Sequence, residues 1–160
     1  YKRKNIEVLP IRGNIDTRLK KLQDGQYDAI ILAKAGLQML GLENKVDKIY
    51  ELDEMMPCAG QGIIAIQSRD NDDPINAKIA SINHLQTFYQ AEAERSLLEA
   101  IGGDCHTALG CYTLISAYHL YLTSEMYVNN KKYTASGSDN AINAKELGNR
   151  VGKELLEQLD

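Results

Sequence analysis

The sequence predicts two unlike parts in series: an α/β layer, then a small α+β domain of a three-stranded antiparallel sheet with helices. Three observations carry that expectation. Residues 29–33 (AIILA) are a continuous apolar run between two helical patterns, as in a strand buried on both faces of a parallel sheet. Residues 118–128 instead alternate, with Leu120, Leu122, Met126 and Val128 on one side, and meet a hairpin signal at Asn129-Asn130. From 141 to 159, Leu147, Val151, Leu155 and Leu159 recur every fourth residue, which lines one helix face.

Taken in order, residues 6–11 (IEVLPI) alternate up to the proline and read as a short strand. Residues 12–17 (RGNIDT) form a loop in which Asn14, Asp16 and Thr17 are each candidate caps for a helix ended by Asp24-Gly25. Leu19 and Leu22 share a face of that helix. The apolar run 29–33 follows, then a second helix over 34–40 closed by Gly41. Residues 43–56 are charged and mixed, the composition of a connector. Residues 56–62 (MPCAGQG) lead into 63–66 (IIAI), a further buried-type strand, with Gly60 and Gly62 permitting close backbone approach. Residues 69–74 (RDNDDP) are a turn-rich breaker and the expected domain boundary.

The helix over 84–101 is expected to place Leu85, Phe88, Ala91, Leu98 and Ile101 on one face, with Arg95 on the same stripe, paired to Glu92 and Glu99. It stops at Gly102-Gly103, where a left-handed cap is natural. Cys105 then falls on an exposed turn beside His106. Residues 107–114 and 131–136 supply the first and third strands, and Tyr118, Tyr121, Tyr127 and Tyr133 read as sheet packing.

Composition narrows the function. The 160 residues suffice for one ordinary domain or two small ones. A net charge of −4, no Trp and a single Phe argue against a nucleic-acid partner. No apolar run approaches 18 residues and no charged-then-apolar leader is present, so no membrane partner is expected. Three cysteines without a CxxC pair read as reduced thiols of a cytoplasmic protein, with neither disulfides nor a metal site. The periodic pattern is already under way at Ile6, and the chain reads as entered partway through a longer protein.

Two places carry chemistry. Arg12 and Arg18 bracket a glycine-containing loop between a predicted strand and a helix start. Free N–H groups, a partial positive charge and two guanidiniums there suit a bidentate grip on carboxylate or phosphate; the alternative is solvated surface charge. Cys105 is a candidate nucleophile, a covalent attachment point or a plain turn cysteine. His106 is adjacent in sequence and so points elsewhere, which disfavours a Cys–His pair. Cys58 and Cys111 read as small hydrophobes.

Three stretches together resemble the hydroxymethylbilane synthase (porphobilinogen deaminase) family: residues 12–18 (RGNIDTR) continuing through 26–33 (QYDAIILA) and 35–37 (AGL), residues 57–62 (PCAGQG), and residues 93–95 (AER) running into 102–105 (GGDC) and 110–112 (GCY). They occur in the family's order across nearly the whole chain. The resemblance implies two periplasmic-binding-protein-like α/β domains and a small third one. Residues 1–53 then correspond to the later part of the second domain, 54–74 to a strand crossing back into the first, and 75–160 to the cofactor-anchoring third domain. It implies a dipyrromethane cofactor held on Cys105 by a thioether, priming the head-to-tail addition of four porphobilinogen units with loss of ammonia. Arg12 and Arg18 would pair with acetate and propionate groups, which selects carboxylate, and Ala33, Gly36 and Gln61 would lie near the cofactor.

The implied parent is a monomeric transferase of tetrapyrrole (haem) synthesis whose partners are porphobilinogen, the growing oligopyrrole and the missing N-terminal half. The family's catalytic aspartate belongs to the first domain, so no catalytic residue is expected here and the chain alone is expected to be inactive. Met39 stands where the family usually has a cleft arginine. The alternatives are a non-catalytic carboxylate-binding module, or a fragment that self-associates through the strand edge at 63–66.

Overall fold

In the computed structural model, which describes residues 5–104 and 106–159, the chain divides after Tyr50 into two units. The first holds helices α1 (Ile15–Gln23) and α2 (Lys34–Met39) and a 3₁₀ turn at Glu43–Lys45. Of the three candidate caps, Asn14 is the one used. Its side-chain oxygen accepts from the Thr17 N–H at 2.9 Å and from the Thr17 hydroxyl at 2.7 Å. Gly25 and Gly41 end the two helices at φ of +73° and +65°, where a side chain would be strained. Gly36 lets α2 approach α1, because a Cβ there would lie 2.9 Å from Ile15 Cδ1.

The expected strands at 6–11 and 29–33 carry no ladder, and no parallel sheet forms among the described residues. Val8 is 89% exposed and Ile31 62%. An apolar run records a side-chain environment suited to a sheet, but a strand also needs a neighbour for its N–H and C=O groups. The described residues supply none for these segments. The same correction applies to 63–66, where Ile64 and Ile66 are exposed and unpaired.

The second unit is α+β. It comprises α3 (Asp73–Ser81), α4 (Leu85–Ala100), β1 (Leu109–Ser116), β2 (His119–Val128), β3 (Lys131–Asn140), a 3₁₀ turn at Ala141–Asn143 and α5 (Ala144–Glu157). The sheet is antiparallel in the order β1-β2-β3, with Ile115 opposite Leu120 and Met126 opposite Tyr133. Asn129 and Asn130 turn the second hairpin at positive φ, as expected. Ala117 and Tyr118 do the same in the first hairpin, without the residue types that announce such a turn. Leu97, Cys111, Leu120, Leu122, Leu147, Val151 and Leu155 are sealed from solvent between one sheet face and the two long helices.

Two further expectations need correction. The breaker at 69–74 contains a helix start: α3 begins at Asp73 with Pro74 in its first turn, where a fixed φ and a missing N–H do no harm. The face of α4 is as expected only in part: Leu98 and Ile101 pack against the core, but Leu85, Phe88 and Arg95 are exposed, and no ion pair joins Arg95 to Glu92 or Glu99 among the described residues. The buried face is Ala93, Glu94, Ser96 and Leu97. Small residues win because α5 packs on them through glycines: a Cβ on Gly148 would meet the Ala93 carbonyl oxygen at 2.2 Å, and one on Gly152 the Ala100 Cβ at 2.7 Å. Among the described residues, no helix is long and apolar enough to cross a membrane.

Candidate functional site

Helix α1 starts where the loop 10–14 is tied down from below. Lys21 Nζ donates to the Arg12 carbonyl at 3.1 Å and the Tyr27 hydroxyl to the Pro10 carbonyl at 2.9 Å. Gly13 turns the chain at φ +123°, and Arg18 Nε donates to its carbonyl at 2.8 Å. One edge of the Arg18 fork is thereby fixed, while its terminal nitrogens meet no carboxylate among the described residues. Arg12 is exposed, and no acidic partner engages its guanidinium among the described residues. Two cations flank one helix N-terminus, an arrangement that attracts an anion and that planar carboxylates fit in bidentate fashion.

Ala33 is the residue before α2, and Gly36 lies in that helix against Ile15, the first residue of α1. Within the first unit, Arg12 and Arg18 flank the start of α1 and Ala33 and Gly36 lie at the start of α2, with Gly36 against Ile15. Met39 is 84% exposed and adds no charge there.

Gln61 belongs to the second unit. It sits in a tight turn: its N–H donates to the Cys58 carbonyl at 3.0 Å, and the Cys58 thiol donates to its side-chain oxygen at 3.2 Å. This turn is fastened to β1. The Cys111 N–H donates to the Pro57 carbonyl at 2.8 Å, and Met56 lies so close to Gly110 that a Cβ there would stand 2.8 Å from the Met56 Cβ. Glu94 of α4 completes the attachment, accepting from the Gly60 N–H at 2.8 Å and from the Thr113 hydroxyl at 2.9 Å. Burial raises the Glu94 carboxyl above its ordinary range, against the lowering effect of those hydrogen bonds.

Cys105 lies outside the described residues. The residues around it form a braced turn. Gly102 exits α4 at φ +64°, and the Gly103 N–H returns to the Leu98 carbonyl at 2.9 Å. Asp104 accepts from the His106 N–H at 2.8 Å and donates its own N–H to Thr107 Oγ1 at 2.9 Å. The His106 N–H is the main cause holding the Asp104 carboxyl below its ordinary range. Of the other thiols, Cys111 is pushed up to about 12, first by burial and then by Glu94 and Cys58, which makes it a poor nucleophile. Cys58 is exposed.

Sequence reasoning missed Glu94 because a glutamate next to Arg95 on a helix looks like surface charge. Its neighbours Ala93, Ser96 and Leu97 were the available signal that this side faces inward.

The family model described as porphobilinogen deaminase, dipyromethane cofactor binding domain, matches residues 1–77. That described as porphobilinogen deaminase, C-terminal domain, matches residues 88–157. The porphobilinogen deaminase of Chromobacterium violaceum is 39% identical over 154 residues, which are 95% of this chain and 50% of the relative. That of Coxiella burnetii is 36% identical over the same length. That of Nitrobacter hamburgensis is 47% identical over 108 residues, 68% of this chain and 34% of the relative. The chain thus spans no more than about half the length of these curated relatives. Two successive matches to one enzyme, the first to its dipyrromethane cofactor binding domain, place this chain in the porphobilinogen deaminase family.

Proposed function

We propose that this chain is the cofactor-holding portion of a transferase that condenses four porphobilinogen molecules head to tail into hydroxymethylbilane, in cytoplasmic tetrapyrrole (haem) synthesis. The observation that carries the reading is the pair of uncompensated guanidiniums, Arg12 and Arg18, at the start of α1 within the stretch matched as a cofactor domain. Each pyrrole unit brings two carboxylates, so the acceptor becomes more anionic with every addition. A cationic grip is then needed even in a protein of net charge −4.

The residues present fit a dipyrromethane. Arg18, steadied on the Gly13 carbonyl, offers a pre-oriented fork, and Arg12 offers an exposed one. Ala33, at the start of α2, has no bulk with which to obstruct a flat ring, and Gln61 of the second unit would offer an amide. When bound, the dipyrromethane supplies the acceptor pyrrole for chain growth. Cys105 supplies the sulfur that ties it down, which gives the acceptor a high effective concentration. In this reading residues 1–53 belong to an α/β domain, 54–74 cross to a domain contributed by the rest of a monomeric enzyme, and 75–160 anchor the cofactor.

The aspartate that handles protons in this reading lies in that other domain, so the chain alone does not turn over porphobilinogen. An assay of hydroxymethylbilane release tests this. Activity is expected only when the remaining part of such an enzyme is supplied, and turnover by the isolated chain contradicts the assignment. A second reading, self-association, is favoured by Ile64 at 83% exposure beside exposed Ile66, an apolar segment without a ladder. Light scattering on the isolated chain distinguishes it: a concentration-dependent mass that falls with Ile64→Lys supports self-association, and a constant monomer mass removes it.

A further inference from the structure

We infer that Glu94 is a positioning residue, whose carboxylate clamps the backbone at Gly60 to β1 and so fixes how the turn of residues 58–62 presents Gln61. The role in turnover rests on the cofactor role proposed above for Gln61, whereas the clamp stands on its own geometry.

Glu94 spans two elements that are distant in sequence. One oxygen takes the Gly60 N–H and the other the Thr113 hydroxyl, 34 residues before it and 19 after it. The turn carries bonds of its own, from the Gln61 N–H to the Cys58 carbonyl, from the Ile63 N–H to the Gly60 carbonyl and from the Cys58 thiol to the Gln61 side chain, but these lie within the turn and attach it to no other element. Gly60 and Gly62 are both at positive φ, +75° and +82°, and a Cβ on either would meet nothing within 4 Å. Glycine is needed there for conformation, and it adds to the entropy lost when the turn is fixed, which a bond from outside the turn helps to offset. The Pro57 carbonyl is fixed by Cys111 at the near end. Beyond it, Glu94 is, among the described residues, the side chain that engages the turn's backbone.

Burial raises the Glu94 carboxyl above its ordinary range although its hydrogen bonds to Gly60 and Thr113 lower it, the mark of a group held out of water. A buried carboxylate that joins the Gln61 turn to β1 through one bond on each side is suited to placing Gln61.

The test is amide hydrogen exchange at Gly60 and Gln61 in the full 160-residue chain, compared with amides of β2. Glu94→Ala is expected to speed exchange at Gly60 about tenfold or more, as for loss of a hydrogen bond to a charged group, with β2 protection unchanged. Glu94→Gln is isosteric, keeps one accepting oxygen and is expected to restore part of that protection. Thr113→Val is expected to leave Gly60 protected. Unchanged exchange at Gly60 in Glu94→Ala, or equal loosening of Gly60 and β2, overturns the clamp. In the cofactor-loaded enzyme, Glu94→Gln is expected to raise KM for porphobilinogen severalfold with a smaller effect on kcat. An unchanged KM beside a released Gly60 overturns the positioning role. Failure of the proposed function shows elsewhere, as normal elongation by an Arg12→Ala enzyme, and leaves the exchange readouts untouched.

Discussion

The two units differ in where their apolar residues go. Among the described residues, the first unit seals one hydrophobic side chain, Leu37, while Ile6, Val8, Leu9, Ile31, Met39 and Leu40 stay exposed. The second seals thirteen, from both long helices and all three strands, in one continuous cluster. Yet the uncompensated cations Arg12 and Arg18 lie in the first unit. Structural free energy and the candidate anion grip are thus carried by different stretches of chain, and changes to one should leave the other largely alone.

The largest effect that tests this separation is truncation. Residues 51–160 alone are expected to unfold cooperatively in urea with about 5 kcal/mol or more, and residues 1–50 alone to show no cooperative transition. Two cooperative halves, or none, would break the contrast. Next is Gly148→Ala, whose added carbon collides with the Ala93 carbonyl, a backbone atom that cannot swing aside. It is expected to destabilise the second unit by about 3 kcal/mol. Leu97→Ala leaves a cavity under fully buried neighbours and is expected to cost about 3 kcal/mol by the same measurement.

Smaller in energy, but decisive for function, are Arg12→Ala and Arg18→Ala. Stability is expected to change by no more than about 0.5 kcal/mol, because neither guanidinium is buried. Elongation in the enzyme carrying this chain is expected to slow about tenfold, measured by single-turnover kinetics.

The smallest effect is at Asp139, whose carboxylate accepts from the Asn143 side chain, the Asn140 N–H and Arg150. Those contacts, Asn143 foremost, lower it below its ordinary value of 3.8. The carboxylate therefore adds stability at pH above 3.8, and that contribution is lost as pH falls through the lower native value. Asp139→Asn is expected to destabilise at neutral pH and to be neutral in strong acid, as followed by urea midpoints across that range.

The same contrast explains what could be read from the residues alone. Helices α1, α2, α4 and α5 and the β2–β3 hairpin follow from local signals: Asn14 as cap, Gly25 and Gly41 as stops, Asn129-Asn130 as turn, and leucines four apart in α5. Local signals say nothing about partners. The runs at 29–33 and 63–66 have strand chemistry without a ladder in the described chain, and the Ala117-Tyr118 turn is imposed by the register of β1 on β2. The face of α4 was legible at Leu98 and Ile101 but not at Ala93, Glu94 and Ser96, because the contact with α5 depends on glycines in a helix that starts 44 residues after Ala100, at Ala144. The position of Arg12 and Arg18 beside the start of α1 was legible because the cap and the helix start are local patterns. Glu94 was not, since its buried state depends on a turn 34 residues upstream.

The most direct test of the central claim is mass spectrometry of the enzyme carrying this chain after limited exposure to porphobilinogen. A ladder of covalent adducts is expected on the peptide containing Cys105, cut short in Arg12→Ala and Arg18→Ala at an unchanged thermal midpoint. A full ladder in both variants, or adducts on Cys58 instead, would contradict it.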